Sequence, residues 1–213
     1  ERREFTGTQA IGATREHNLR GKQLLLTGEF FGTWRLWDAT RALDYLLTRQ
    51  EVDSRRVGVT GTSGGGTMTS FLNAFDSRLT MAAPSCYITS LRYNFKNELS
   101  ADAEQNPPFF LAQELDLADF IIASAPRPVM ILAQDNDFFD PRGTKKAYDE
   151  LKNIYTMLGA PDNIRLHIGH GNHSYAPNHR VAAACFFGYT GDEPEPNLTV
   201  ITPTDRKSTR LNS

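Results

Sequence analysis

A serine in a glycine-rich turn is the residue whose surroundings point most clearly to chemistry. It lies in Gly61-Thr62-Ser63-Gly64-Gly65, which matches the pattern Gly-x-Ser-x-Gly. A β-branched segment typical of a strand, residues 56–60, precedes the pattern, and residues 67–75 can continue as a helix. A serine at a sharp turn between a strand and a helix holds its hydroxyl above the end of a sheet. We therefore predict that Ser63 is a nucleophile and that the Gly64 amide binds the developing oxyanion.

A nucleophilic serine needs a base, and the base needs a carboxylate that orients it. In this type of turn the three groups follow the order Ser, Asp or Glu, His along the chain. The apolar segment 128–133 predicts a buried strand, and Asp135, Asp137 and Asp140 follow it. Reactive groups of parallel sheets lie beyond the carboxyl ends of the strands, so all three positions are suitable. We favour Asp137, because Asp135 lies nearer the strand and Asp140 precedes a proline, as at a helix start.

The candidate base lies on the loop after another predicted strand, residues 164–168. His173 is the favoured base because this loop precedes the last predicted helix, and His170 is the alternative. Three further histidines are less suitable, because they lie within the strand, before the serine or in the last helix: His167, His17 and His179.

Two patterns resemble metal sites. His167, His170 and His173 recur every three residues, but strand geometry directs the first away from the others, and no adjacent carboxylate or cysteine completes a ligand set. Asp135-x-Asp137 resembles the start of a calcium loop, yet the following positions lack the ligand and the glycine that such a loop needs. We predict no metal and no other cofactor, since acyl transfer to a serine needs neither.

The elements that must position these residues alternate along the chain. Strand-like and helix-like segments alternate at least three times, which predicts an α/β fold with a parallel sheet flanked by helices. Pro84 is expected to end the second strand, and Leu24-Leu25-Leu26 is the sole strand candidate before the serine, although a helix suits it as well. The predicted strands are residues 56–60, 79–83, 128–133 and 164–168, and the predicted helices are residues 34–49, 67–75, 144–158 and 178–187.

Residues 86–118 have no long periodicity and predict an irregular insertion with short helices. Its aromatic residues could line a substrate cleft above Ser63, or they could equally pack the insertion onto the sheet. They are Tyr87, Tyr93, Phe95, Phe109 and Phe110.

Composition excludes several functional classes. The 213 residues carry a formal net charge of −2, with a sequence pI near 6.2, which argues against a nucleic-acid-binding surface. No apolar run approaches the length of a membrane-spanning helix, so no membrane partner is expected. Two cysteines, Cys86 and Cys185, cannot form a disulfide framework and do not fix the redox compartment.

Both ends of the sequence are unusual. Residues 205–213 resemble the translation of a sequencing-library adapter, so we expect residues 1–204 to be a partial catalytic domain and the last nine to be non-native. Residues 1–20 contain no initiator Met and no apolar stretch of the signal-peptide type. The natural N-terminus is therefore expected elsewhere.

Several segments together resemble α/β-hydrolases of the acetyl xylan esterase and cephalosporin C deacetylase type. The resemblance extends over roughly residues 12 to 190 and is most specific at the serine turn and at Asp137-Phe138-Phe139. The other segments that carry it are Trp37-Asp38, Arg41-Ala42-Leu43-Asp44-Tyr45-Leu46, Glu51-Val52-Asp53, residues 56–66, Pro84-Ser85-Cys86-Tyr87, Glu104-Gln105, Ala125-Pro126-Arg127-Pro128 and His173-Ser174-Tyr175.

The resemblance implies a serine carboxylesterase that removes acetyl or other short acyl groups from a small-molecule or polysaccharide ester such as xylan. It implies Ser63 as nucleophile, Asp137 as orienting acid and His173 as base, and a secreted or periplasmic location. Tyr87 and Phe138 are the expected substrate contacts. A prolyl-oligopeptidase-type peptidase shares the serine turn and is the alternative enzyme, and a non-catalytic carbohydrate-binding or scaffold domain is the alternative outside enzymes.

The chain departs from this family at its start. A complete α/β-hydrolase places about four strands before the serine turn and takes its second oxyanion donor from a loop after the third. Only 62 residues precede Ser63, and none predicts a strand convincingly. We therefore expect the C-terminal part of the fold, with N-terminal strands and one oxyanion donor missing. Such a fragment should be poorly stable and nearly inactive by itself.

Overall fold

The computed structural model describes residues 12–97 and 102–188, in which helices and strands alternate as the sequence predicts. Within these two ranges, four 3₁₀ turns connect the longer elements: Phe95–Asn97, Ala103–Gln105, Leu111–Gln113 and Pro161–Asn163. The strands are β1 Gly58–Thr62, β2 Met81–Ser85, β3 Val129–Asn136 and β4 Ile164–Asn172. The helices are α1 Ala13–Leu26, α2 Phe31–Leu47, α3 Gly64–Phe75, α4 Leu91–Asn94, α5 Asp119–Ile122, α6 Pro141–Met157 and α7 Pro177–Phe186.

The four strands form one parallel sheet in the order β1-β2-β3-β4. Each strand pairs with the one before it along the chain, and a crossover that contains a helix joins each pair, as parallel pairing requires. All four carboxyl ends therefore meet at one edge of the sheet. Ser63, Cys86, Asp137 and His173 directly follow these four ends, which places the predicted reactive groups along a single edge.

Apolar residues on both faces of the two central strands form the core. Val129 and Ile131 of β3 pack with α6, whereas Leu132 lies on the other face with Ala183 of α7. This period of two is the expected pattern of a strand covered by helices on both sides. Helix α6 contributes buried residues that recur every three or four positions, among them Thr144, Ala147, Leu151 and Tyr155.

The prediction that Pro84 ends the second strand is wrong. Pro84 lies inside β2 and is paired in register with Gly61 of β1. On the β3 side, the amides of Ala82 and Cys86 donate to the carbonyls of Pro128 and Leu132. Position 84 lies between these two donors and faces the same strand, so the proline removes one hydrogen bond from the ladder while the neighbouring bonds hold the strand in place.

Strands β3 and β4 extend beyond their predicted ends at residues 133 and 168. The pairing continues through polar residues as far as Asn136 and Asn172, past an irregularity between Gln134 and Asn136. Hydrophobicity ends before pairing does, because the sheet edge is exposed to solvent there. Asp135 and His170 consequently lie within strands, whereas the prediction placed them on loops.

Within residues 12–57 the structure contains helices α1 and α2 and no strand. Leu24, Leu25 and Leu26 belong to α1, so this segment is a helix and not a strand. Leu43 of α2 packs with Val57, Leu72 and Leu79, so this helix covers the β1 end of the sheet. The adapter-like residues 205–213 lie outside the described residues. No helix in the described ranges combines the length and apolar character that crossing a membrane requires.

Candidate active site

Ser63 occupies a strained backbone conformation between β1 and α3. Its φ of 57° and ψ of −120° lie in a region that residues with side chains rarely adopt. The Ser63 amide donates to the carbonyl of Ser85 at 3.0 Å, and the Ser63 carbonyl accepts the Thr67 amide at 2.9 Å. The turn is thereby tied to the neighbouring strand on one side and to the first turn of α3 on the other. This is the geometry expected of a nucleophile elbow.

Two glycines allow the chain to approach itself in this turn. A Cβ at Gly61 would lie 2.7 Å from the carbonyl oxygen of Gly65, and one at Gly66 would lie 2.5 Å from the carbonyl oxygen of Ser85. A Cβ at Gly65 would meet nothing within 4 Å. Of the two motif glycines, Gly61 alone is therefore required by close approach of the chain. The second crowded position is Gly66, one residue beyond the motif, because its Cα faces β2.

The Gly64 amide lies at the start of α3, where the first-turn N–H groups have no partner within the helix. This position suits the predicted oxyanion donor, since the helix N-terminus favours negative charge. A buried carboxylate lies nearby: the position of a Cβ at Gly64 is 3.7 Å from Oε1 of Glu104. That oxygen also contacts Nδ1 of His17 at 2.6 Å.

The pair formed by His17 and Glu104 was not among the predicted site residues. The sequence did contain a signal, because Glu104-Gln105 is one of the segments that carry the family resemblance. Gln105 donates through Nε2 to Oγ1 of Thr67 at 3.0 Å and so fixes this segment against α3. The insertion therefore contacts the elbow through two adjacent polar residues.

Asp137 and His173 form a buried hydrogen-bonded pair after β3 and β4. Nδ1 of His173 lies 2.8 Å from Oδ1 of Asp137, whose side chain has no exposed surface. The Phe139 amide donates to the same carboxylate oxygen at 2.9 Å. The His173 side chain is 22% exposed and stacks on the ring of Phe138, with centroids 4.2 Å apart. The carboxylate thus orients an imidazole that remains accessible.

The alternative residues have other surroundings. Asp135 contacts His170 and accepts the Gly171 amide at 2.9 Å, a backbone hydrogen bond that lowers the pKa of the Asp135 carboxyl. The His170 side chain is 98% exposed, so this second Asp–His pair lies in solvent. Asp140 caps α6 by accepting the Arg142 amide at 2.8 Å, as the helix-start prediction states. The Asp137–His173 pair is therefore distinguished from the Asp135–His170 pair by its burial.

The loop that carries His173 returns across the sheet edge towards β1. Tyr175 lies 2.8 Å from Oγ1 of Thr60, which is in the strand that leads to Ser63. The Ser174 carbonyl lies 3.6 Å from Sγ of Cys86, which follows β2. Among the described residues no hydrogen bond joins Ser63 to His173. Such contacts are often long without substrate and shorten in the reacting complex.

The aromatic residues of the insertion divide into two groups. Tyr87, one of the two expected substrate contacts, is 1% exposed and packs edge-on against Phe139 in the core, where the chain continues from β2. Phe138, the other expected contact, is half-exposed beside His173. Phe95, Phe109 and Phe110 line a cavity of about 350 Å³ that Gln105 also reaches.

The remaining histidines have separate roles. His179 is fully buried, with Nδ1 2.8 Å from Oγ of Ser85 and Nε2 2.9 Å from the carbonyl of Ala133. Burial lowers the pKa of His179. His167 of β4 packs edge-on against His179 of α7, whereas the His170 side chain is exposed to solvent. The three histidines with regular spacing therefore have separate surroundings: His173 contacts Asp137, His167 contacts His179 and His170 lies in solvent.

The chain is similar to hydrolases in sequence and in structure. The sequence profile of the prolyl oligopeptidase family matches residues 20–113. A curated relative, "Putative hydrolase YtaP" of Bacillus subtilis (strain 168), is 28% identical over 150 residues, which are 68% of this chain and 49% of the relative. The chain thus spans about half the length of this relative.

Solved structures of esterases have the same fold. "Methylesterase BT1017" aligns with a TM-score of 0.60 and 27% identity over 74% of this chain and 35% of its own. A "carbohydrate esterase family 15 (CE15) glucuronoyl esterase from Caldicellulosiruptor kristjansonii" aligns with a TM-score of 0.60 and 22% identity over 84% of this chain and 53% of its own. The prediction of the fold is confirmed: the chain forms part of an α/β-hydrolase fold.

Proposed function

We propose that the whole protein containing this chain is a serine carboxylesterase that acts on an esterified carbohydrate. The observation that carries the proposal is the strained Ser63 on the same sheet edge as the buried Asp137–His173 pair. A nucleophile, a base and an orienting acid on one edge are the groups that acyl transfer needs. The names of the similar solved structures, a methylesterase and glucuronoyl esterases, support the ester and carbohydrate parts of the proposal.

In the proposed reaction, Oγ of Ser63 attacks the ester carbonyl carbon while Nε2 of His173 takes the serine proton. Asp137 holds the Nδ1–H of the imidazole and stabilises its charged form. The Gly64 amide donates to the oxyanion, and His173 then returns the proton to the leaving alcohol as the C–O bond breaks. A water molecule, deprotonated by His173, releases the acid and restores Ser63.

The finer proposal is that the acyl group is acetyl or another short acyl group and that the alcohol belongs to a sugar such as that of xylan. It rests on the family resemblance of the segments around Ser63 and Asp137. The cavity of about 350 Å³ in the insertion offers space for part of the alcohol, and Phe109 at its rim is 79% exposed. A secreted or periplasmic location accompanies this proposal, since plant polysaccharide is extracellular.

A peptidase is the second candidate, because the matching sequence profile is that of the prolyl oligopeptidase family. A non-catalytic role is the third, and the Asp137–His173 contact argues against it, since a binding domain has no need of an oriented Asp–His pair on the same sheet edge as a strained serine.

A substrate panel tests the proposal on the whole protein. We expect turnover of acetylated xylan and of a chromogenic acetyl ester, much slower turnover of a methyl glucuronate ester and no turnover of a prolyl amide, with all activity lost in Ser63→Ala. Faster turnover of the glucuronate ester would overturn the acetyl proposal, and faster turnover of the amide would identify a peptidase. No turnover of any of these would remove the carbohydrate-esterase proposal.

A further inference from the structure

Cys86 lies at the same sheet edge as the reactive groups and has no part in the reaction described above. It directly follows β2, with its amide donating to the carbonyl of Leu132 at 2.8 Å. We propose that Cys86 is a positioning residue for the Asp137–His173 pair, and that its thiol donates a hydrogen bond to Oδ2 of Asp137. This inference rests on the proposed function, because it assigns Cys86 to the same site.

The carboxylate of Asp137 has one satisfied oxygen and one that needs a donor. Oδ1 accepts from the Phe139 amide and contacts Nδ1 of His173. Oδ2 is buried and has no hydrogen-bond partner among the described residues. A buried carboxylate oxygen without a donor is costly, and such groups in native proteins usually have a partner. The second oxygen therefore indicates that a neighbouring group supplies a hydrogen.

The Cys86 thiol lies near this carboxylate and can turn towards it. One ligand-type atom from each of Cys86, Asp137 and His173 lies within 4.8 Å of the other two. Cys86 is 1% exposed, so no water competes for the thiol from bulk solvent. In the structure the thiol donates to the Ser174 carbonyl at 3.6 Å. It has a single hydrogen, and a carboxylate is a stronger acceptor than a neutral carbonyl, so we infer that a small rotation of the thiol directs this hydrogen to Asp137.

Two further observations fit a donor at this position. Burial, with a contribution from the neighbouring Asp137, raises the pKa of the Cys86 thiol to about 11, so the hydrogen is retained at neutral pH. The backbone of Cys86 has a φ of 50°, in the left-handed region that a cysteine rarely adopts. Local strain of this kind persists where the surrounding structure requires one particular orientation.

Matched substitutions separate hydrogen bonding from packing. Serine and alanine are similar in size, but serine keeps a donor. In the whole protein, we expect Cys86→Ala to lower kcat about 10-fold with KM unchanged, the lower end of the effect that removing the partner of a functional ligand has in metal sites. The kcat of Cys86→Ser should stay within about 3-fold of the parent, because the serine hydroxyl still supplies a donor to Asp137. Cys185→Ala, at an exposed free cysteine, is the control and should change neither constant.

A double-mutant cycle tests the contact between Cys86 and Asp137 through stability, without measuring activity. Urea unfolding is measured for the parent, Cys86→Ala, Asp137→Asn and the double variant. We expect Cys86→Ala to lower the urea midpoint in the parent and to have a much smaller effect in the Asp137→Asn background. Because this readout does not need catalysis, it distinguishes failure of the contact from failure of the proposed function.

Three results would overturn the inference: a Cys86→Ala variant with the parent's kcat, a Cys86→Ser variant as slow as Cys86→Ala, or additive shifts in the urea midpoint. If Cys86→Ala does not fold, Cys86→Gly replaces it in both experiments, because glycine adopts the left-handed backbone without strain. The same three criteria then apply.

Discussion

Tyr175 and Thr60 join the loop that carries His173 to the strand that carries Ser63. Their hydroxyl oxygens lie 2.8 Å apart, and Oγ1 of Thr60 also lies 2.7 Å from the carbonyl of Ala83. The Thr60 hydroxyl has one hydrogen, which goes to this carbonyl, so Tyr175 donates to Thr60. The hydrogen bond spans 115 residues of sequence and fixes the base relative to the nucleophile.

Removal of this hydrogen bond should slow the reaction without unfolding the protein. We expect Tyr175→Phe to lower kcat about 5- to 10-fold, since a misplaced base weakens proton transfer while the ring still packs on its neighbours. Steady-state kinetics of the whole protein measure the effect. Tyr45→Phe, at an exposed position on α2, is the control and should behave as the parent.

We expect substitution of the aspartate to affect kcat very differently in the two Asp–His pairs. Asp137→Asn should lower kcat by about 10³- to 10⁴-fold, because an amide favours the wrong imidazole tautomer. Asp135→Asn should change kcat less than about 2-fold, since the pair it forms with His170 lies in solvent and surface pairs contribute little. Equal losses in both variants would contradict the assignment of the orienting acid.

The sequence identifies the candidate groups more reliably than their surroundings. Strand–turn–helix context and the order Ser, Asp, His lead to Ser63, Asp137 and His173, because these features are local. The sequence favoured Asp137 over Asp135 only by its distance from the apolar run. It could not predict the burial that distinguishes them, because the packing of the sheet edge buries Asp137 and leaves Asp135 exposed. The burial of Tyr87 could not be predicted either, because an aromatic residue suits a cleft and a core equally.

The glycines of the elbow give a prediction about stability. Gly66→Ala should destabilise the protein by about 1–3 kcal/mol, the usual cost of overpacking, because its Cβ would meet the carbonyl of Ser85. Gly65→Ala should leave stability unchanged or raise it slightly, since its Cβ meets nothing and alanine favours the helix. Urea unfolding of the two variants measures the difference, and a larger loss for Gly65→Ala would refute the turn geometry.

Buried His179 makes stability dependent on pH. Because burial lowers its folded-state pKa below the ordinary value of 6.5, the unfolded chain takes up a proton first as pH falls. The stability that depends on neutral His179 is therefore fully present above about pH 6.5 and is lost below it, towards the folded-state pKa. The melting temperature should decrease between pH 7.5 and pH 5, and His179→Gln should reduce that decrease. His170→Gln, at an exposed position, should not.

The central claim is that Ser63 is a nucleophile activated by His173, and covalent labelling tests it most directly. The whole protein is treated with a fluorophosphonate, and the modified peptide is identified by mass spectrometry. We predict one adduct on Ser63, no adduct in Ser63→Ala, and labelling slowed by at least about 10²-fold in His173→Ala, the lower bound expected when a general base is removed. Absence of labelling, or labelling that Ser63→Ala leaves unchanged, would contradict the account.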